Sequence, residues 1–205
     1  MPTEAYEFAR FVDNEIEKLT REEFFMRTGR SKKLREEIFP LSRLALHFAQ
    51  PGLKVFVESA NASTPPDGHI AISGFRTEAQ DVEITYVRSY EDSLRDELLH
   101  TVGASPGAGP IERNKLTHQI FAQQSGSDRG EQIAALAAAV SKRYEAKASK
   151  NYPASTILLI AFQDITFYGF SAWRELVERI GDAPARPFKR VYFLNCLTNE
   201  LQAIA

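Results

Sequence analysis

The chain has 205 residues and a formal net charge of −2 at pH 7, with 43 % hydrophobic and 25 % charged residues. These values fit one domain with a full core and exclude a collagen, a generally disordered chain and a coiled-coil rod. A single cysteine, Cys196, excludes a disulfide within the chain and a zinc cluster held by cysteines. The weak negative charge also argues against tight, non-specific binding of duplex nucleic acid by charge alone.

The first residues and the apolar segments indicate where the protein works. The N-terminus is acidic and amphipathic, and it lacks the basic segment and apolar run of a signal peptide. The most apolar segment, TILLIAF, is far shorter than the roughly 20 residues that span a bilayer. We therefore expect a cytoplasmic protein that has no membrane partner.

Two helices are predicted before the first strand. Apolar residues recur at helical spacing over residues 4–26, which predicts one helix. A break follows at Gly29, and Ser31 is placed to cap a second helix that continues to Phe48. Because proline lacks the N–H group that a helix needs, we expect a kink or a restart at Pro40.

The hydrophobic period changes to two after this point, which predicts strands over 53–59, 68–73 and 80–87. In the third strand, alternation divides the side chains between two faces. One face carries Val82, Ile84 and Tyr86, and the other carries Glu83, Thr85 and Val87.

The second half of the chain predicts further helices and two strands. The clearest is a helix over 131–149, rich in alanine and capped by Ser127 or Asp128. A nearly continuous apolar run over 155–162 predicts a strand that is buried on both faces. The remaining predicted elements are helices over 89–100, 111–124 and 170–180, a loop over 101–110 and a last strand over 190–197.

Two acidic residues on neighbouring strands are the strongest candidates for chemistry. Asp67 follows two prolines and leads into one strand, and Glu83 lies in the next strand. Carboxylates placed in this way can converge on one divalent cation, which prefers hard oxygen ligands. Asp67 before Gly68 is equally a good turn residue. Glu83 would be solvated in an edge strand, but in a central strand it needs a partner or an ion.

The order of elements, together with these acids, resembles the PD-(D/E)xK restriction-endonuclease-like superfamily. Pro66-Asp67 matches the Pro-Asp element, and Glu83-Ile84-Thr85 occupies the place of the acid-x-lysine element. The core match runs from about residue 31 to 163 within a single domain of 1–205. The resemblance implies an α/β fold with a mixed central sheet flanked by helices. A restriction-endonuclease-like core would then carry an added N-terminal helix and a C-terminal helix and strand.

The resemblance also implies an activity, because members of this superfamily typically cut DNA with magnesium. Asp67 and Glu83 would bind Mg²⁺ or Mn²⁺, and Glu37 on the preceding helix would support the ion or a water. Thr85 stands where the motif has lysine, so it can order a water but carries no charge. Some members carry the lysine on the following helix. We therefore expect Lys142 of helix 131–149 to share the work of the lysine with Thr85.

Basic residues suggest where a nucleic acid would lie. The run RTGRSKKLR, which ends at Arg35, could carry a phosphate backbone together with Lys142, Arg143 and Lys147. Such runs are more often solvated helix faces.

Three hypotheses follow from these observations. The leading one is a divergent metal-dependent nuclease that hydrolyses DNA phosphodiester bonds. The resemblance also suggests a homodimer, since many enzymes that cut both strands are dimers. The alternative is a catalytically inactive member of the same fold that binds DNA or a partner protein. A small interaction protein without a site is the third hypothesis.

Overall fold

A computed structural model describes residues 1–60, 65–107, 109–122, 128–164, 167, 169–181 and 187–204. Its strands are β1 (Thr3–Glu4), β2 (Leu53–Ser59), β3 (Gly68–Gly74), β4 (Glu78–Val87), β5 (Ile111–Arg113), β6 (Ile120–Ala122), β7 (Ile157–Phe162), β8 (Arg190–Asn195) and β9 (Glu200–Ala203). Its helices are α1 (Ala5–Glu17), α2 (Arg21–Met26), α3 (Gly29–Lys33), α4 (Phe39–Phe48), α5 (Tyr90–Thr101), α6 (Arg129–Ala148) and α7 (Gly169–Ile180). A π-helical turn, Leu34–Ile38, joins α3 to α4.

Seven strands form one mixed sheet in the order β1-β2-β3-β4-β7-β8-β9. Strands β2, β3 and β4 form an antiparallel meander, and β7 lies parallel to both β4 and β8. Strand β9 turns back antiparallel along β8 and forms one edge. The predicted fold class, an α/β protein with a mixed central sheet flanked by helices, is therefore confirmed.

The sheet separates two layers of core, and the side chains of β4 and β7 alternate between them. Val82 and Ile84 pack in the layer that holds α1 and α4. Val87 packs against the layer formed by α6 and α7. Strand β7 contributes buried residues to both layers, as its apolar run predicts. Because side chains alternate along a strand, Glu83 and Thr85 face the α6 layer.

The single helix predicted over residues 4–26 is wrong, because the chain forms two helices there. The first ends at Glu17, and α2 begins at Arg21. Thr20 and Glu23 make a capping box: Glu23 N–H donates to the Thr20 hydroxyl at 3.2 Å, and Thr20 N–H donates to the Glu23 carboxylate at 2.9 Å. These bonds satisfy the free N–H groups at a helix start, so they favour a new helix over continuation.

The second helix starts earlier than predicted, and a new α-helical segment begins next to Pro40, which is one of the two outcomes expected there. It begins at Gly29, and the hydroxyl of Ser31 donates back to Thr28 O at 2.8 Å instead of capping. The π-helical turn precedes the proline, and within it Phe39 N–H bonds to Leu34 O. Pro40 then lies in the first turn of α4, where its missing N–H leaves no intrahelical bond unmade.

The helix predicted over 111–124 is also wrong: strands β5 and β6 form a hairpin there, while residues 123–124 lie outside the described residues. Asn114 stabilises the turn, since its Oδ1 accepts from Leu116 N–H at 2.7 Å and from Thr117 N–H at 3.0 Å. Such local bonds compete with helix formation. Asp128 caps α6, as one of the two predicted capping residues, whereas Ser127 lies outside the described residues.

Among the helices of the described residues, none is both long enough and apolar enough to cross a bilayer.

Candidate active site

Glu83 is a carboxylate in the interior of the sheet. It lies in β4 between β3 and β7, and its residue is only 2 % exposed. Lys147 forms an ion pair with its Oε1, and the Tyr152 hydroxyl donates to the same oxygen at 3.2 Å. The other oxygen, Oε2, is buried and has no hydrogen-bond partner among the described residues. Glu83 is therefore satisfied on one side only, which is rare for a buried acceptor.

The helix α6 brings the lysine to this acid from its C-terminal turn. The side chain of Lys147 is 21 % exposed, so its ammonium group lies between the interior and the surface. A cation in the last turn also interacts favourably with the helix dipole. The middle turns of the same helix lie beside the ends of β4 and β7.

Lys142, the predicted substitute for the motif lysine, is not the residue that contacts Glu83. It precedes Lys147 by five residues on α6, which corresponds to a rotation of about 140° and a shift of about 7.5 Å along an α-helix. Its side chain lines a cavity beside Arg88 and Gln163 instead. The helix was predicted correctly, but the position along it that faces Glu83 depends on how α6 crosses the sheet.

Asp67 is fixed at the point where β3 begins. Its N–H donates to Val82 O at 2.9 Å, and its Oδ2 accepts from Ile84 N–H at 2.7 Å. The side chain thus extends the β3–β4 ladder beyond Gly68. At Gly68 a Cβ atom would meet Leu41 Cδ2 at 2.5 Å, so a side chain there would require Leu41 or β3 to shift. The two hydrogen bonds to Val82 and Ile84 hold Asp67 beside β4.

The pKa of Asp67 reports the charges that surround it. Burial raises this pKa from 3.8 to about 6, and the bond from Ile84 N–H opposes the rise. The negative charges of Glu83 and Glu37 raise it further, while Lys147 lowers it. The structure therefore brings Asp67, Glu83, Glu37 and Lys147 into one electrostatic neighbourhood.

The two adjacent acids of the π-helical turn serve different parts of the molecule. Glu37 acts on Asp67 through its charge, whereas Glu36 lies 3.8 Å from Nη1 of Arg27. Thr85 is 8 % exposed and shares the α6 side of β4 with Glu83, two residues nearer the end of the strand. Two of the sequence candidates, Glu37 and Glu83, therefore act on Asp67 through their charges, and Thr85 lies next to Glu83 along the same face.

Tyr152 is a site residue that the sequence reasoning missed. It follows α6 and precedes β7, and its ring lies 5.1 Å from that of Phe188. Burial and the neighbouring charge of Glu83 raise the pKa of its hydroxyl, so Tyr152 stays protonated and donates. A tyrosine in a connection between a helix and a strand carries no sequence signal of its own, since only the fold places it on Glu83.

The arrangement suits a divalent cation held by two carboxylates. Within the part of the chain described, no group of three or more His, Cys, Asp and Glu side chains could hold a metal ion. Magnesium, however, is commonly held by one or two carboxylates together with waters and substrate phosphates. The buried, unpartnered Oε2 of Glu83 and the proximity of a second carboxylate, Asp67, fit such an ion.

The chain was compared with models of known families, with curated proteins and with solved structures, and none of these comparisons found a match.

Proposed function

We propose that this chain is a divergent metal-dependent nuclease that hydrolyses DNA phosphodiester bonds at a site formed by Asp67, Glu83 and Lys147. The observation that carries the proposal is the carboxylate of Glu83, which is buried in a central strand, contacted by Lys147 on one oxygen and unpartnered on the other. An antiparallel β2–β3–β4 meander after a helix, followed by a parallel β7, supports it, since this order resembles the PD-(D/E)xK core.

Asp67 and Glu83 are the residues that would hold Mg²⁺ or Mn²⁺. When bound, such an ion supplies positive charge that stabilises the phosphodiester group during its hydrolysis. Burial raises the pKa of Asp67 to about 6, so protons compete with a cation for this carboxylate increasingly as the pH falls below that value. The charge of Glu37 near Asp67 further favours a cation in this neighbourhood.

Lys147 would take the role of the lysine that Thr85 replaces. Its ammonium group carries three N–H donors and contacts Glu83 through one of them. A second donor can bind a non-bridging phosphate oxygen or orient the attacking water, which stabilises charge as it develops. Tyr152 holds Oε1 of Glu83 in place through its hydroxyl. Lys142 lies on the cavity wall and has no part in this step.

A catalytically inactive protein that binds DNA or a protein is the second candidate. Two contacts of Glu83 favour it. Lys147 and Tyr152 both donate to Oε1, and the ammonium group of Lys147 balances the charge of the carboxylate without a metal ion. Under this alternative the acid, the lysine and the tyrosine only hold α6 against the sheet.

Metal binding and DNA cleavage in matched variants test the proposal. Mg²⁺ and Mn²⁺ are titrated by calorimetry, and cleavage is assayed on duplex and single-stranded DNA. We expect Glu83→Gln to lose both metal binding and cleavage. Lys147→Met should keep metal binding and lose about 100-fold or more in cleavage rate, since it removes a donor to the developing charge. Both are measured at a temperature at which circular dichroism shows the variant to be folded.

The control is Lys150→Met, an exposed lysine just after the same helix, which should leave cleavage unchanged. Absence of metal binding to the folded wild-type protein would refute the nuclease and leave the inactive protein. The expected homodimer is part of the same proposal, and sedimentation equilibrium in the presence of duplex DNA tests it.

A further inference from the structure

A second site is suggested by a cavity beside α6, which lines it from Glu131 to Ala146. Its volume is about 1010 Å³, and it lies between α5, α6 and the carboxyl ends of β4 and β7. Ligands commonly bind at the carboxyl ends of parallel strands in α/β proteins. The cavity is at the upper end of the size range for small-molecule sites, which is about 300–1,000 Å³.

Arg27 is a buried cation in the wall of this cavity, and two of its nitrogens lack an acceptor. Its side chain is 4 % exposed, and Nη2 donates to Oε1 of Gln163 at 2.8 Å. Nε and Nη1 are buried without a hydrogen-bond partner among the described residues. The nearest carboxylates, Asp96 at 3.5 Å from Nε and Glu36 at 3.8 Å from Nη1, form ion pairs but no hydrogen bond.

The backbone of Arg27 shows that this position is tightly determined. Its φ of 47° and ψ of 58° are left-handed, a conformation that a residue with a long side chain adopts at some energetic cost. The guanidinium group stacks over Tyr86, with 5.2 Å between its central carbon and the centre of the ring. These contacts hold a buried guanidinium group at the cavity wall, and two of its nitrogens make no hydrogen bond within the described part of the chain.

Further cations line the same cavity. Arg88 follows β4 and donates from Nη2 to Asp96 at 2.6 Å, but its Nε is buried without a partner among the described residues. Lys142 and Arg143 stand exposed on the α6 wall, and neither forms an ion pair within the described ranges. Because they line the same cavity as the arginines, a ligand in it has cations on more than one wall.

The acidic residues of the cavity wall are occupied by other groups. Asp96 pairs with Arg88, and Asp92 caps α5 through Ser89 N–H at 2.8 Å. Glu91 pairs with Arg95 at 3.6 Å, and Glu131 accepts from Asp128 N–H at 3.3 Å. Asp164 also has partners of its own. The donors that remain therefore favour an anionic ligand.

We propose that this cavity binds the 5′-phosphate of a nucleotide. Arg88, whose side chain is 19 % exposed in the cavity wall, would donate to the phosphate oxygens, and the guanidinium group of Arg27 beside it would add positive charge. Arginine is well suited to bind phosphate through charge-assisted hydrogen bonds. Lys142 and Arg143 would close the site at its rim. The base and sugar would pack on the apolar wall, which is formed by Leu99, Leu136, Ala139 and Phe162.

The same chemistry could come from two sources, a free mononucleotide or the phosphorylated 5′ end of a DNA strand. Only the second source connects this cavity with Asp67 and Glu83. The proposal does not depend on the nuclease, because none of its residues contacts Asp67 or Glu83.

Calorimetric titration with defined probes tests the site. The probes are adenosine 5′-monophosphate, adenosine, inorganic phosphate, and one oligonucleotide with a 5′-phosphate or a 5′-hydroxyl end. We expect the monophosphate to bind and adenosine to bind at least about tenfold more weakly, because it lacks the charged group. A phosphorylated oligonucleotide that binds more tightly than the monophosphate and the hydroxyl form would assign the site to a strand end. Equal binding of the monophosphate and the phosphorylated oligonucleotide would assign it to the free nucleotide.

Three variants locate the binding. The double variant Lys142→Ala/Arg143→Ala changes only exposed residues, and Arg88→Lys keeps the charge but removes the planar donor group. Each should weaken monophosphate binding about tenfold, while Arg174→Ala on α7 should not. Glu83→Gln should bind as the wild type does, even if it has lost all cleavage.

The proposal is overturned if no phosphate probe binds the wild-type protein. It is equally overturned if adenosine binds as well as its monophosphate. Binding that is unchanged in both the double variant and Arg88→Lys would also refute it. Because Glu83→Gln separates the two sites, failure of this proposal is distinguishable from failure of the nuclease.

Discussion

Two clusters of buried charge lie along β4, and they are satisfied in different ways. In the acid cluster (Asp67, Glu83, Lys147 and Tyr152), a carboxylate that is 2 % exposed depends on a single cation. In the arginine cluster (Arg27, Arg88, Gln163 and Asp96), a guanidinium group that is equally well buried shares several weaker partners. The comparison indicates that the stability lost when one charged residue is removed depends on whether the opposite charge that remains keeps another partner.

The largest expected effect is that of Lys147→Met on stability. This change leaves Glu83 buried, charged and without a cation, and breaking a buried pair in this way costs about 3 kcal/mol or more. The free energy of unfolding, measured by urea denaturation at pH 7, should fall by that amount. Tyr152 cannot replace the lost charge, because its hydroxyl is neutral.

A double variant sharpens this expectation. In Lys147→Met/Glu83→Gln the buried charge is gone, so most of the lost stability should return. Lys150→Met serves as the exposed control and should be neutral within about 0.5 kcal/mol. An equal loss in the single and the double variant would contradict the account, since the stability would then depend on the lysine's packing and not on its charge.

A smaller effect is expected when Arg27→Met removes the central cation of the arginine cluster. Asp96 keeps its bond to Arg88, and the side chain of Glu36 is 14 % exposed, so no buried acid is left without a partner. The loss is mainly the bond to Gln163, which is worth about 1 kcal/mol. Urea denaturation should therefore show less than half of the effect of Lys147→Met, and a larger effect would refute the contrast between the clusters.

A further effect is expected in the pH dependence of stability in Asp67→Asn. Burial raises the pKa of Asp67 to about 6 in the folded state, so the folded protein holds this proton more tightly than the unfolded chain. The resulting stabilisation is complete below the unfolded pKa of about 3.9 and is lost as the pH rises through about 6. Asparagine does not titrate, and its carbonyl oxygen can still accept from Ile84 N–H.

Urea denaturation between about pH 4 and pH 7 measures this difference. The stability of Asp67→Asn relative to the wild type should rise over this interval and then level off. A constant difference at every pH would show that Asp67 titrates alike in both states.

The sequence predicted the elements that long, regular patterns specify. The alternation around Glu83 placed this acid on the correct face of β4, and the alanine-rich segment gave α6 almost to the residue. Two predictions for short elements are wrong because local hydrogen bonds outweigh the hydrophobic periodicity there. Thr20 restarts a helix through its capping box, and Asn114 turns a hairpin where a helix was predicted.

The candidate site was predicted in part for a related reason. Asp67 and Glu83 are joined by a short hairpin, so their proximity follows from the strand register. Lys147 and Tyr152 are 64 and 69 residues from Glu83, and only the way α6 and β7 pack on β4 brings them to it. A partner this distant in sequence leaves no local pattern. The sequence therefore pointed to Lys142 in the helix and not to Lys147 near its end.

The close approach of β3 to α4 at Gly68 makes the site recognisable in other sequences. A Cβ atom at this position would lie 2.5 Å from Leu41 Cδ2, so Leu41 or the strand that follows Asp67 would have to shift. A chain that shares the site should therefore contain an aspartate-glycine pair, then a glutamate fifteen residues after the glycine, and finally a lysine at the end of an alanine-rich helix. The glycine is the most restrictive letter of this signature, although it carries no functional group.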